Sequence, residues 1–106
     1  MEVAFVSFVN GEIFLDNVQP NIKKDLSVFG ATARNNSEVQ MSIKYSSEEE
    51  KITLYIALRD LHIAFSAGHD WSPAAQFEDF RDRGLITGKY LRIAWREPNN
   101  YKITEL

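Results

Sequence analysis

The first apolar run, Val3-Ala4-Phe5-Val6-Ser7-Phe8-Val9, has large side chains at both odd and even positions. A strand over residues 2–9 is therefore apolar on both faces, which predicts a central strand or one covered on two sides. Asn10-Gly11 signals a hairpin turn, whose two middle residues need positive φ in the favoured form. Glu12-Ile13-Phe14-Leu15 returns as a second strand. Residues 16–25 hold Asp16, Asn17, Pro20 and Asn21 and read as a loop. Residues 26–34 are ambiguous, because Val28, Phe29 and Thr32 favour a strand while Gly30 weakens any regular element. Asn35-Asn36-Ser37 reads as a turn. From 38 to 45 the chain alternates, with Val39, Met41, Ile43 and Tyr45 on one side and Glu38, Gln40, Ser42 and Lys44 on the other. That is a half-buried strand. Residues 46–50 form a polar connection, and residues 51–58 alternate again with Ile52, Leu54, Ile56 and Leu58 inward. The short connection predicts an antiparallel meander. After Arg59-Asp60 the apolar positions become odd-numbered, at Leu61, Ile63 and Phe65. A continuous strand would turn its apolar face outward there, so a bulge or turn and a separate strand are expected.

The clearest helix signals lie at residues 73–83. Ser72 is a good N-cap, and Pro73 sits at the first helical position, where a missing amide costs nothing. Phe77 and Phe80 share a face with Ala74. Gly84 suits the left-handed position that ends a helix, and Leu85 can pack back on Phe80. Gly88 opens a last strand pair. Leu91, Ile93 and Trp95 occupy one face there, and Tyr90, Arg92, Ala94 and Arg96 the other. Pro98-Asn99-Asn100 turns the chain, and residues 101–105 close it. The elements predict a single α+β domain over residues 1–106. Its sheet is mostly antiparallel, of about six to eight strands, with one main helix near 73–83 packed on one face. Short connections leave little room for parallel crossovers.

Composition changes this picture little. The 106 residues include no cysteine, which excludes disulfides, thiolate metal sites and a cysteine nucleophile. The net charge is −3, so the chain as a whole has no polyanion-binding character. The acidity is uneven: residues 1–53 hold eight acids against five bases, and residues 54–106 hold seven of each. The N-terminus lacks the basic start and long apolar core of a secretory signal, and no run approaches the roughly 20 apolar residues of a membrane span, so a cytoplasmic protein is expected.

No set of residues reads as catalytic, cofactor-binding or metal-ligating. His62 has only Asp60 nearby on a strand's same side, and a structural place for it is favoured. His69-Asp70-Trp71-Ser72 contains the residue types of a triad, but adjacent residues rarely point at one another, and Ser72 has the helix cap to form. The five glycines are scattered and form no phosphate loop. Arg81, Arg83, Lys89, Arg92 and Arg96 lack the interleaved aromatic motif of an RNA-binding sheet. Glu48-Glu49-Glu50 reads as a solvated turn, or as an electrostatic handle for a basic partner.

Residues 61–95 carry a further signal: Leu61-His62-Ile63-Ala64-Phe65, then Trp71-Ser72-Pro73, a short helix, a turn, and Leu91-Arg92-Ile93-Ala94-Trp95. This string resembles the C-terminal part of immunity proteins from bacterial contact-dependent growth inhibition systems. The resemblance implies a small cytosolic protein, without catalytic residues or cofactor, that binds a cognate toxin domain and blocks it. Such toxins are often basic nucleases, which suits an acidic inhibitor with no direct nucleic-acid or membrane contact. Glu12, Asp16, Glu48, Glu49 and Glu50 are the candidate partner-binding residues. Two other readings stand beside this one. A ligand-binding domain or small enzyme would have a pocket between sheet and helix lined by His62, His69, Tyr90 and Trp95. An oligomeric subunit would join through the free edge at residues 101–105.

Overall fold

The computed structural model describes residues 3–97 and 100–106. In chain order the elements are β1 (Phe5–Val9), β2 (Glu12–Asp16), α1 (Pro20–Ser27), β3 (Thr32–Ala33), β4 (Met41–Lys44), α2 (Glu48–Asp60), β5 (Ala64–Ala67), α3 (Pro73–Asp82), β6 (Leu91–Glu97) and β7 (Asn100–Glu105). The strands form one sheet in the order β3-β4-β2-β1-β5-β6-β7. The α+β class is as expected, and β1 takes the central place its two-sided run implied. The sheet is mixed rather than mostly antiparallel, because β5 runs parallel to both β1 and β6. Helix α3 and its flanking loops supply the crossover between β5 and β6 that the short connections were expected to exclude.

Among the described residues, three helices replace the single one expected. Residues 51–58 are not a strand but the body of α2. Its buried residues, Leu54, Tyr55 and Leu58, follow helical spacing, with Ile52 and Ile56 half-buried beside them. Ile52, Leu54, Ile56 and Leu58 also satisfy period two, but Tyr55, buried between Leu54 and Ile56, does not. The telling signal is upstream: the Ser47 side chain accepts a hydrogen bond from the Glu50 amide at 3.1 Å, as in a capping box, with three glutamates in the first turn. The phase change after Arg59-Asp60 is this helix ending. His62 takes φ 61°, its amide donates to the Arg59 carbonyl, and the Ile63 amide donates to that of Leu58. This is the left-handed stop usually given to glycine. Residues 16–25 also hide a helix, α1, with Pro20 in its first turn.

Other local expectations hold. Ser72 caps α3 by accepting from the Ala75 amide, and Gly84 takes φ 74° while the Leu85 amide donates to the Phe80 carbonyl. Gly11 is left-handed at the β1–β2 hairpin, but Asn10 is not. The turn with two left-handed residues is Asn35-Asn36, closed by the Ser37 amide donating to the Arg34 carbonyl at 3.0 Å, and it joins β3 to β4. The turn expected at Pro98-Asn99-Asn100 lies outside the described residues except for Asn100.

All three helices pack on one face of the sheet. Val6, Ile13, Leu15, Met41, Ile43 and Phe65 from the strands meet Leu26, Leu54, Leu58 and Ala74 from the helices in one buried cluster. Its C-terminal half is aromatic: Tyr55, Phe65, Phe77, Phe80 and Tyr90 interlock, with the Phe77 and Tyr90 rings 4.4 Å apart and those of Tyr55 and Phe65 5.0 Å apart. The Tyr55 phenol, excluded from water, donates to the Gln76 side-chain oxygen at 2.7 Å.

Two predictions arise from this core. Phe77→Ala removes a fully buried ring and should lower stability by about 3–5 kcal/mol in chemical denaturation. Burial also pushes the Tyr90 phenol up to about 12 and the Tyr55 phenol further above its ordinary 10.0. Because the folded-state values are raised, the stabilisation is complete below the unfolded value near 10.0 and is lost as pH climbs towards the folded values. Stability should therefore fall above pH 10, and Tyr55→Phe should flatten that fall while losing roughly 1 kcal/mol at neutral pH with its hydrogen bond.

Candidate functional site

With every helix on one side, the opposite face of the sheet carries no second layer. Strand alternation and register assign its residues, since partners across a ladder share a face. Phe5 pairs with Asp16 and with Ala64, Phe14 with Ser42, Ile93 with Ile103, and Trp95 with Tyr101. Each of these pairs lies opposite the buried helix-side set. Phe8 reaches the same face through a β-bulge. Val6 is opposite Leu15, yet Phe8 is opposite Phe14, so Ser7 is the extra residue. Without the bulge, alternation would send Phe8 with Val6 into the core. With it, Phe8 turns outward and stacks on Phe14 at 5.9 Å.

Phe5 meets Trp95 edge-on at 5.5 Å, and Trp95 meets Tyr101 at 5.4 Å. Ala64 and Ile93 are fully buried on this face. Phe8 and Trp95 remain 44% and 42% exposed. The result is an aromatic band across the middle of the sheet. Charged pairs rim it. Arg34 lies over the Phe14 ring at 4.7 Å and donates to Asp16 at 3.1 Å, and Gln40 donates to the same Asp16 oxygen at 2.8 Å. Glu12 faces Lys44 at 3.9 Å, and Glu105 faces Lys89 at 3.8 Å.

Of the five acidic candidates, Glu12 and Asp16 are therefore on this open face. Glu48, Glu49 and Glu50 are not in a loose connection; they form the first turn of α2, on the other side of the sheet. Glu48 accepts from Arg83 at 2.6 Å, and Glu50 accepts from the Ser46 hydroxyl at 2.8 Å. Arg83 also pairs with Asp79, and the two carboxylates hold its pKa above the ordinary value. This ion-paired bridge from α2 to α3 roofs a cleft of about 320 Å³ beside Lys51. The Lys51 ammonium lies 5.5–5.9 Å from the rings of Tyr45, Tyr55 and Phe80, and burial lowers its pKa against the opposing pull of Glu48.

The pocket lining suggested by His62, His69, Tyr90 and Trp95 is not assembled. Tyr90 is part of the core stack, Trp95 is on the open face, and His62 ends α2. His69 lies against exposed Trp71 at 4.6 Å. Asp60 pairs with Arg59, and Ser72, 3% exposed, is committed to its cap. Among the described residues no group of three or more His, Cys, Asp or Glu could hold a metal ion, and no helix is long and apolar enough to cross a membrane. The aromatic band escaped sequence reasoning because Phe5, Phe8 and Phe14 look like core residues. The register slip at Ser7 has no marker in the chain.

No protein-family model matches the chain. No solved structure matches it either. Among curated proteins it is similar to segments of catalase-peroxidases. That of Nocardioides sp. is 32% identical over 79 residues, 74% of this chain and 10% of the relative. That of Rhodopseudomonas palustris is 27% identical over 81 residues, 76% of this chain and 10% of the relative. That of Sinorhizobium medicae is 34% identical over 64 residues, 60% of this chain and 8% of the relative. The chain thus spans about a tenth of the length of the curated relatives it matches.

The acidic first turn of α2 has a checkable structural role. Ser47→Ala should cost about 1 kcal/mol in denaturation. Changing Glu48, Glu49 and Glu50 together to Gln should also lower stability, through the weakened helix N-terminus and the loss of the exposed Glu48–Arg83 pair.

Proposed function

We propose that this chain is a toxin-neutralising immunity protein that binds a cognate toxin domain, a basic nuclease, through the helix-free face of its sheet. The observation that carries the reading is the bulge at Ser7, which takes a phenylalanine out of the core and adds it to a partly exposed aromatic band. Contiguous apolar surface of this kind, rimmed by charge, is typical of protein contact sites. The resemblance of residues 61–95 to contact-dependent growth inhibition immunity proteins supports the choice of partner. Its Ser72-Pro73 helix start and its strand ending near Trp95 are both formed. A likeness to a tenth of a catalase-peroxidase is a likeness to a segment, and the reading takes nothing from it.

In this reading inhibition is occupancy. The band covers the toxin's catalytic surface, without chemistry or cofactor, in the cytoplasm of the protected cell. Exposed aromatics at the centre hold the complex and control dissociation, while Glu12, whose carboxylate lies 3.9 Å from the exposed Lys44 ammonium, meets cationic side chains at the rim, and Asp16 stays engaged by Arg34 and Gln40. Glu48, Glu49 and Glu50, on the far side, contribute only to the negative field that speeds encounter.

The test is co-purification, and measured association, with the toxin domain encoded beside this gene. The Phe8→Ala, Trp95→Ala double variant should dissociate roughly tenfold faster or more and lose protection against the toxin, with its fold intact by circular dichroism. The Glu48, Glu49 and Glu50 to Gln variant should keep its dissociation rate and associate more slowly at low salt only. A double variant that binds like the parent would remove the open face from the interface. Failure of the unmodified protein to bind any neighbouring toxin domain would sink the immunity reading.

A further inference from the structure

The outer edge of β7 has a hydrogen-bonding pattern that can be read from one pair. Tyr90 and Leu106 exchange both backbone bonds, at 3.1 and 3.0 Å. In an antiparallel ladder every second pair does so. By the register, the exchanging pairs are then Arg92 with Thr104 and Ala94 with Lys102. The intervening pairs are Leu91 with Glu105, Ile93 with Ile103 and Trp95 with Tyr101. The N–H and C=O groups of Tyr101, Ile103 and Glu105 consequently point away from β6. β7 is the last strand of the sheet, so these groups face outward, about 6.8 Å apart along the strand. The other edge differs. β3 is two residues long and ends at once in the Asn35-Asn36 turn, a short edge of the kind that resists pairing.

We propose that β7 pairs antiparallel with β7 of a second copy of this chain, about a two-fold axis through Ile103. The choice of occupant rests on self-complementarity. Centred on Ile103, the pairing sets Ile103 opposite Ile103 of the second copy and Tyr101 opposite its Glu105. All three outward-facing residues of each strand are then satisfied, with about six hydrogen bonds across the edge. Lys102 falls opposite Thr104 of the second copy, and the Tyr101 phenol can donate to the facing Glu105 carboxylate. Neighbouring registers are worse: centring on Lys102 or on Glu105 sets like charges face to face, and centring on Tyr101 or Thr104 leaves outward groups unpaired. A two-fold axis perpendicular to the sheet keeps both helix layers on one side. The two aromatic bands, each ending at Trp95 and Tyr101, become one band across the joined sheet. The open faces stay accessible, so this pairing is independent of toxin binding.

The test uses the full chain in light scattering and sedimentation from about 1 μM to about 1 mM, with hydrogen exchange at the low and high ends. The species at 12.2 kDa should give way to one of twice that mass. The amides of Tyr101, Ile103 and Glu105 should slow by roughly tenfold or more on association, while those of Lys102 and Thr104, already bonded to β6, should not change. Ile103→Pro removes an outward amide that the β6 ladder does not use, a change edge strands tolerate, and it should remain at 12.2 kDa throughout. If that variant loses its circular dichroism spectrum, Ile103→Asp, which sets two carboxylates on the axis, takes its place and should also remain monomeric. Parent protein that stays at 12.2 kDa up to about 1 mM overturns the proposal. So does a dimer in which the amides of Tyr101, Ile103 and Glu105 exchange as fast as in dilute protein.

Discussion

The fold depends on the interlocked rings of Tyr55, Phe65, Phe77, Phe80 and Tyr90. Each comes from a different part of the chain: α2, β5, two turns of α3, and the segment entering β6. Together they hold both parallel strand pairings in place, because β5 can lie between β1 and β6 only if α3 is packed beneath it. Ring pairs of this kind contribute beyond the area they bury. The polar end of Tyr55 is handled at the rim: its phenol donates to Gln76, whose own amide donates to the Trp71 carbonyl at 3.0 Å. One chain of contacts thus joins the core to the turn that starts α3.

Once the helices are committed to one face, the other must meet solvent or a partner. Antiparallel sheets often solve this with a polar outer face. This sheet does so only at its margins, where Glu12, Lys44, Asp16 and Arg34 sit. Its centre is aromatic, and two of the rings are there through different devices. Trp95 arrives by plain alternation along β6, whereas Phe8 arrives by a bulge. A bulge interrupts pairing between two central strands and adds local twist, so its presence in the middle of the sheet is a cost set against the surface it builds. That is the physical reason for proposing this face, rather than the acidic turn of α2, as the contact surface.

The acidic residues illustrate how position changes meaning. Glu48, Glu49 and Glu50 are a run of like charge that stands at a helix N-terminus, where negative charge is stabilising. Glu48 further ties α2 to α3 through Arg83. Asp16 likewise spends its carboxylate on Arg34 and Gln40, holding the long loop between β3 and β4 against β2.

The sequence by itself determined what is local. The cap and stop of α3, the hairpin at Gly11, the turn at Asn35-Asn36, the central β1 and the α+β class were all legible, because each depends on the backbone preferences of a few adjacent residues. Helix α2 was legible in principle from Ser47 and Glu50, but its alternating apolar positions satisfied a strand equally well, and periodicity alone cannot separate the two over eight residues. The rest is non-local. Parallel pairing of β5 with β1 and β6 depends on where α3 can pack, and the outward turn of Phe8 depends on a register shift against β2. The grouping of Phe5, Phe8, Phe14, Trp95 and Tyr101 into one surface depends on strand order. Which face of a two-sided apolar strand is buried is a property of what lies across it, and only the tertiary structure decides that.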